Sequence, residues 1–176
     1  MPEPLLIIAC GALAREIAQL RKLRGWQHVD LKCIDASLHN RPAKIPGAIR
    51  KCIDENRHQY SNIYVAYADC GTTGAIDRVL EEEGIERLPG AHCYQFFAGP
   101  EAFERLSAEE PGTFYLTDFL VRNFDRLVIR ALKLDQHPEL LPEFFRNYRR
   151  VVYLAQTRSE ELAASAARAA RASPST

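Results

Sequence analysis

A chain of 176 residues with 23 Lys and Arg against 23 Asp and Glu has no net charge to draw it to a nucleic acid or an anionic membrane. An apolar fraction of 47% and a charged fraction of 26% are those of a soluble globular protein, and a chain of this size buries about 70% of its unfolded surface, enough to fold without disulfide staples. No apolar run reaches the ~18 residues of a membrane span. "MPEPLLIIACG" has an acidic and no basic residue before its apolar stretch, unlike a signal peptide, so the expected location is the cytoplasm, where thiols stay reduced.

"LLIIA" (5–9) is a continuous apolar run of strand length, of the kind covered on both faces. In "ALAREIAQLRKL" (12–23), Leu13, Ile17 and Leu20 recur at helical spacing, and Gly25 stops the helix. "HVDLKCID" (28–35) alternates as a second strand. A loop with two prolines leads to a helix from about Pro46 to Tyr60. "NIYVAYAD" (62–69) is the third strand, "TGAIDRVLEEEG" the third helix, closed by Gly84, and "IERLPG" (85–90) a short fourth strand. "HCYQFFAGPEAFERL" is mostly helical. The stretch from 112 predicts a largely buried helix carrying Phe119, Phe124, Leu127, Val128 and Leu132, capped by Thr117. "PELLPEFFRNY" is another helix and "RRVVYLAQ" (149–156) another strand. The tail is an alanine-rich helix with a capping-box start at Ser159.

This alternation predicts an α/β fold: a doubly wound, mostly parallel sheet of about five strands with helices on both faces and a C-terminal helix. One domain is expected over residues 1–170, followed by a flexible polar tail at 171–176.

Right-handed crossovers put all the strand-to-helix turns on one edge of such a sheet. In the strand order 2-1-3-4, the first and third strands flank the switch point where ligands bind. Cys10, His39, Cys70 and the pair His92-Cys93 follow strands one to four in turn. Thiolates and imidazoles converging from separate turns are the donors of a zinc site, and a catalytic one keeps a position open. Cys10, Cys70 and either His92 or Cys93 form a candidate ligand set, with His39 as a further ligand or a proton-transfer group. These dispersed residues make no paired-cysteine signature, and buried cysteines also serve as small apolar side chains. Cys10 and Cys70 differ from Cys33 and Cys52 in that each is followed by glycine at a strand-to-helix turn. Cys33 and Cys52 are expected to pack. A helix starting after Cys70 favours its thiolate, which suits metal ligation and nucleophilic catalysis equally.

Gly71, Thr72 and Thr73 offer N–H groups and hydroxyls to a phosphate or carboxylate, although a structural tight turn accounts for the glycines too. Arg41, in "LHNRP", lies on the same edge as a partner for an anionic group. Asp118 suits a helix start, or a carboxylate that orients a ligand histidine. His28, His58 and His137 are expected at the surface or in a loop.

The motifs "CGALAREI", "LHNRP", "YADCGTTG", "HCYQFF", "GTFYLTDFL", "HPEL" and "YLAQ", in this order, resemble domain of unknown function 1638 over nearly the whole chain. The resemblance implies an α/β protein of bacteria and archaea. Its pattern includes Cys10, His39, Cys70 and the His92-Cys93 pair. It further implies a setting beside corrinoid-dependent methyltransferase systems, in one-carbon or methylated-amine metabolism.

Together these observations point to a zinc site at the carboxyl edge, with His39 and Cys70 as catalytic groups and a small-molecule substrate. The expected partner is a corrinoid protein or methyltransferase, with no nucleic acid and no membrane involved. Two alternatives stay open: a metal-free cysteine enzyme of nucleophilic or two-base, racemase-like chemistry, and a non-catalytic metal-binding or chaperone protein.

Overall fold

The apolar run Leu5–Cys10 forms β1, and four of its residues, Leu6, Ile8, Ala9 and Cys10, are fully buried. In the computed structural model, which describes residues 3–172, β1 is a central strand of a four-stranded sheet. Helix α1 (Ala14–Arg24) ends on Gly25, whose left-handed φ of 62° is the conformation glycine adopts without cost. Strand β2 (Val29–Ile34), helix α2 (Ile45–Asn56), strand β3 (Asn62–Ala66), helix α3 (Ala75–Glu83) and the two-residue strand β4 (Glu86–Arg87) follow. All pairings are parallel and the order is β2-β1-β3-β4, the order expected for a doubly wound sheet. Because the chain reverses direction across the sheet after β2, right-handed crossovers send α1 to one face and α2 with α3 to the other. The pairing of Arg50 with Glu82 and Glu83, and of Arg57 with Glu83, joins α2 to α3 on that second face.

The two faces are sealed unequally. On α2, Ile45, Ile49 and Ile53 recur every four residues and are buried, as are Ile76 and Leu80 of α3. On α1 the expected apolar stripe is only partly covered: Leu13 before it is buried, but Leu20 is 47% exposed, and Leu23, outside the stripe, is 80% exposed.

The chain divides into two compact units, and this sheet belongs to the first, Met1–Cys93. The second, Tyr94–Thr176, contains helices α4 (Tyr94–Ala98) and α5 (Pro100–Glu109), strand β5 (Thr113–Thr117), and helices α6 (Asp118–Arg122) and α7 (Leu141–Phe145). Strand β6 (Arg150–Leu154) and helix α8 (Glu160–Ala172) complete it. Here β5 and β6 form a separate two-stranded parallel sheet, so the strands are shared between two sheets rather than gathered in one. Strand β5 corrects the helix expected from residue 112. "TFYLT" is a β-branched and aromatic run behind a Pro-Gly turn, which favours a strand. The helix starts only at Asp118, where the Thr117 hydroxyl accepts the N–H of Leu120, the cap expected from the sequence.

Leu116 of β5 packs with Val121, Leu162, Ala166 and Ala169. The Ser159 hydroxyl accepts the Leu162 N–H, but Leu162 has no side-chain acceptor with which to return the bond, so only half of a capping box forms. Most of the polar tail expected at 171–176 lies outside the described residues. Among the described residues, no helix is long and apolar enough to cross a membrane.

Candidate thiol and imidazole site

Each strand of the four-stranded sheet delivers at least one potential ligand at or beyond its carboxyl end. Cys10 closes β1 and is buried; its sulphur accepts the Ala12 N–H at 3.4 Å, capping a 3-10 turn. Gly11 follows because the end of β2 presses on it. A Cβ there would stand 3.1 Å from the Ile34 carbonyl oxygen.

After β2, the Asp35 carboxylate accepts the Ser37 N–H at 2.8 Å and starts the 3-10 turn Ala36–Asn40. His39 lies on that turn. Its Nδ1–H donates to the Ala36 carbonyl at 2.9 Å, which fixes the ring and leaves Nε2 facing Cys10 at 4.0 Å. A backbone carbonyl on one ring nitrogen is how ligating histidines are commonly held.

Beyond β3 come Tyr67 and Ala68, both fully buried. The N–H groups of Asp69 and Cys70 donate to the carbonyls of Gly90 and Ala91, at 3.0 Å each. These two bonds tie the segment after β4 to the Cys70 turn and bring Cys93 beside it. The backbone then enters the left-handed region at Cys70 (φ 48°), Gly71 (φ 81°), Thr73 (φ 52°) and Gly74 (φ 78°). Two non-glycine residues at positive φ within four positions mark a strained turn. The Asp69 carboxylate holds it by accepting the Thr72 hydroxyl (2.9 Å), the Thr73 N–H (3.1 Å) and the Gly74 N–H (2.7 Å). Burial alone would raise this carboxyl, but the Gly74 N–H, the Thr72 hydroxyl and the Thr73 N–H hold it below the usual range.

A second clasp is Arg87. Its guanidinium pairs with Asp77 at 2.5 and 2.9 Å and donates to the Leu88 carbonyl at 2.8 Å, with the Tyr67 and Gly90 carbonyls at 3.4 Å.

The result is a cluster. One donor atom each from His39, Cys70 and Cys93 lies within 4.8 Å of the others. Cys10 flanks it through His39, and the His92 Nδ1 lies 3.8 Å from the Cys93 sulphur. The electrostatics separate the thiols. Hydrogen bonding from Cys93, with His39 beside it, outweighs burial and pulls Cys70 down to about 4. Cys93, as the donor to Cys70 and by its own burial, is pushed up. Burial disfavours a charged His39, but the Cys10 and Cys70 sulphurs against its ring raise it to about 10. These opposite shifts favour a thiolate at Cys70 and a protonated ring at His39 when the cluster is bare. Burial lowers His92, so it stays neutral.

The other expected site residues take different places. The Thr72 hydroxyl is engaged by Asp69 and the Thr73 hydroxyl donates to the Thr72 carbonyl at 2.8 Å, so both serve the turn itself. Gly71 and Arg41 are exposed, Arg41 capping the 3-10 turn that carries His39. Cys33, expected to pack, is exposed on the edge strand β2. Asp118 meets no histidine among its bonded partners. It lies in the second unit, bonded to Tyr153, Gln156 and Thr157.

Three residues of the site were not singled out in the sequence. Asp69 had a readable signal, a carboxylate placed before a Gly-rich turn. Tyr67 and Arg87 had none, because a strand-end tyrosine and a strand arginine are common in any α/β sheet.

A parallel sheet whose carboxyl edge gathers buried sulphur and imidazole donors defines this as a doubly wound α/β protein with a thiol and imidazole site. The chain belongs to the family described as a protein of unknown function, DUF1638, whose model matches residues 33–173. The matched stretch contains His39, Cys70, His92 and Cys93, and Cys10 precedes it. Comparison with curated proteins and with solved structures finds no match to the chain.

Proposed function

We propose that His39, Cys70 and Cys93 hold a zinc ion at the carboxyl edge of the sheet, with Cys10 beside it and His92 behind Cys93. The observation that carries this reading is the convergence of one imidazole nitrogen and two buried sulphurs within 4.8 Å, supplied by three separate turns. Two thiolates and an imidazole are a donor set that suits zinc. The His39 Nδ1–H is already committed to the Ala36 carbonyl, so only Nε2 is left to ligate. Cys70 supplies a ready thiolate, while Cys93 and His39 would each give up a proton on binding, so loading should release protons. Zinc in such a site keeps a bound thiol or water deprotonated at neutral pH.

In this reading the protein acts in the cytoplasm on a small molecule, in methyl transfer linked to a corrinoid protein or methyltransferase. The support for that setting is the family resemblance carried by "YADCGTTG", "HCYQFF" and their companions.

The test is elemental mass spectrometry on protein purified without a histidine tag, beside Cys70→Ser, Cys93→Ser and His39→Asn. Circular dichroism checks the fold of each. One zinc per chain, lost from folded variants, is the expected result. A folded wild type that takes up no metal after zinc reconstitution overturns the reading.

One observation favours a second reading. Cys70 sits at φ 48° on a strand-to-helix turn beside His39, the arrangement of an activated nucleophile. A metal-free cysteine enzyme of this kind would be alkylated rapidly at Cys70 and would keep its turnover in chelator.

A further inference from the structure

One side chain at this site has a buried polar atom with nothing to bond. Tyr67 is 0% exposed, and its hydroxyl has no hydrogen-bond partner. Buried hydroxyls nearly always find one, because leaving water unpaired costs the group its hydration without return. The exception lies at the ligand cluster. The Tyr67 ring is stacked on His39, with centroids 5.7 Å apart and planes 14° from parallel. The sulphurs of Cys10, Cys70 and Cys93 lie near it, Cys10 first among them, but none meets the hydroxyl with hydrogen-bond geometry. A buried phenol hydroxyl with no bond of its own is a donor in want of an acceptor.

The nearby groups already have other bonds and none reaches the hydroxyl with hydrogen-bond geometry. Cys10 accepts the Ala12 N–H, and the His39 Nδ1–H is spent on Ala36. The three-residue cluster supplies two thiolates and one neutral ring, which cancel the charge of a divalent zinc and leave one tetrahedral position. We propose that the Tyr67 hydroxyl donates to a small anionic ligand bound at that fourth position, so that the substrate, or the group it replaces, enters the site as a monoanion. This rests on the metal-site reading above. The orphan hydroxyl adds to it the charge of the incoming group and the residue that recognises it.

Cobalt(II) in place of zinc makes the coordination sphere visible. Wild type and Tyr67→Phe are loaded with cobalt and titrated with azide and, separately, with mercaptoethanol, following the visible absorption bands. The expected result is a saturable shift with at least one ligand in wild type. Tyr67→Phe should load the same amount of cobalt and show the same starting bands, but bind that ligand about tenfold more weakly. The two titrations separate a preference for a sulphur donor from one for a harder donor atom. Tyr67→Phe should also melt no lower than wild type without metal, since the hydroxyl it loses had no partner.

Equal affinity in the two proteins overturns the role of Tyr67. So does an unresponsive spectrum in both, which would mean that Cys10 closes the coordination sphere. A folded wild type that binds no cobalt removes the metal reading and this inference with it.

Discussion

Both parallel sheets end, at their carboxyl edges, in a polar group of residues that includes a tyrosine, yet the two groups are built to opposite ends. In the second unit Asp118 is 1% exposed and its carboxylate accepts the Tyr153 hydroxyl (2.6 Å), the Gln156 N–H (3.1 Å) and the Thr157 hydroxyl (2.5 Å). Its own N–H donates to the Gln156 side chain at 2.8 Å. Each of these groups has its partner inside the chain, so the network is complete and can only hold β5, α6 and the segment after β6 together. In the first unit the residues at the edge are soft donors close enough to share an ion, and the tyrosine hydroxyl is left over. A closed network marks structure. An open one marks a place for something the chain does not supply.

The largest effect that tests this contrast is metal removal. A metal present at a thousand times its Kd adds about 4 kcal/mol to the stability of the folded state. Chelation should therefore lower the thermal midpoint of the zinc-loaded protein, and Cys70→Ser and Cys93→Ser should abolish that response. Asp118→Asn should melt lower throughout yet respond to chelator as fully as wild type. A chelator response that persists in Cys70→Ser would break the assignment of the open site.

Next comes the closed network itself. Asp118→Ala leaves two hydroxyls and an N–H without their acceptor in a half-buried place, at a cost of about 2 kcal/mol in urea unfolding. A loss below about 1 kcal/mol would mean the network is not needed for the fold. The same carboxylate sets a pH dependence. Burial alone would raise it, but the Thr157 and Tyr153 hydroxyls and the Gln156 N–H hold it below the usual range. With the folded value depressed, its contribution is complete above the unfolded value of about 4 and disappears as pH falls through the folded one. Urea midpoints measured down to about pH 2 should fall less steeply for Asp118→Asn than for wild type.

A smaller effect is expected at Arg87, which spans the carbonyls of both site loops and Asp77. Arg87→Lys keeps the charge but loses the fork that reaches these acceptors together. We expect about 1–2 kcal/mol of lost stability and a larger proportional loss of zinc affinity, read by competition with a chromophoric chelator. Metal affinity unchanged in a destabilised variant would make Arg87 a fold residue only.

What the sequence disclosed about these two edges differs for physical reasons. The placing of Cys10, His39, Cys70 and Cys93 at the ends of successive strands follows from the alternation of short apolar runs with helices, a periodicity written in the residues. The order β2-β1-β3-β4 is instead the common pattern of doubly wound sheets, which the structure matches. The convergence of His39, Cys70 and Cys93, rather than a set built on His92, depends on where the turn of residues 36–40 points its ring and on the pairing of Asp69 and Cys70 with Gly90 and Ala91. No spacing encodes either. The separate β5–β6 sheet was hidden for another reason: Phe119, Phe124 and Leu127 continue the apolar texture of "TFYLT" at helical spacing, so strand and helix blur at Thr117. The Asp118 network was equally hidden, since Tyr153 and Thr157 lie more than thirty positions away in the chain.

The finest comparison sets the two tyrosines against each other, because removing the same hydroxyl should have opposite consequences. Tyr153→Phe takes away a 2.6 Å bond to a buried carboxylate and leaves Asp118 one donor short, which should cost about 1–3 kcal/mol. Tyr67→Phe takes away a hydroxyl that bonds nothing in the chain, so the metal-free protein should be unchanged or more stable by a few tenths to about 1 kcal/mol. Unfolding of both variants in chelator, followed in urea on one protein preparation, gives the sign directly. If Tyr67→Phe loses as much as Tyr153→Phe, the Tyr67 hydroxyl has a partner within the fold, and the first edge is as closed as the second. If the signs differ, the unpaired hydroxyl is a cost that the apo protein carries for a ligand.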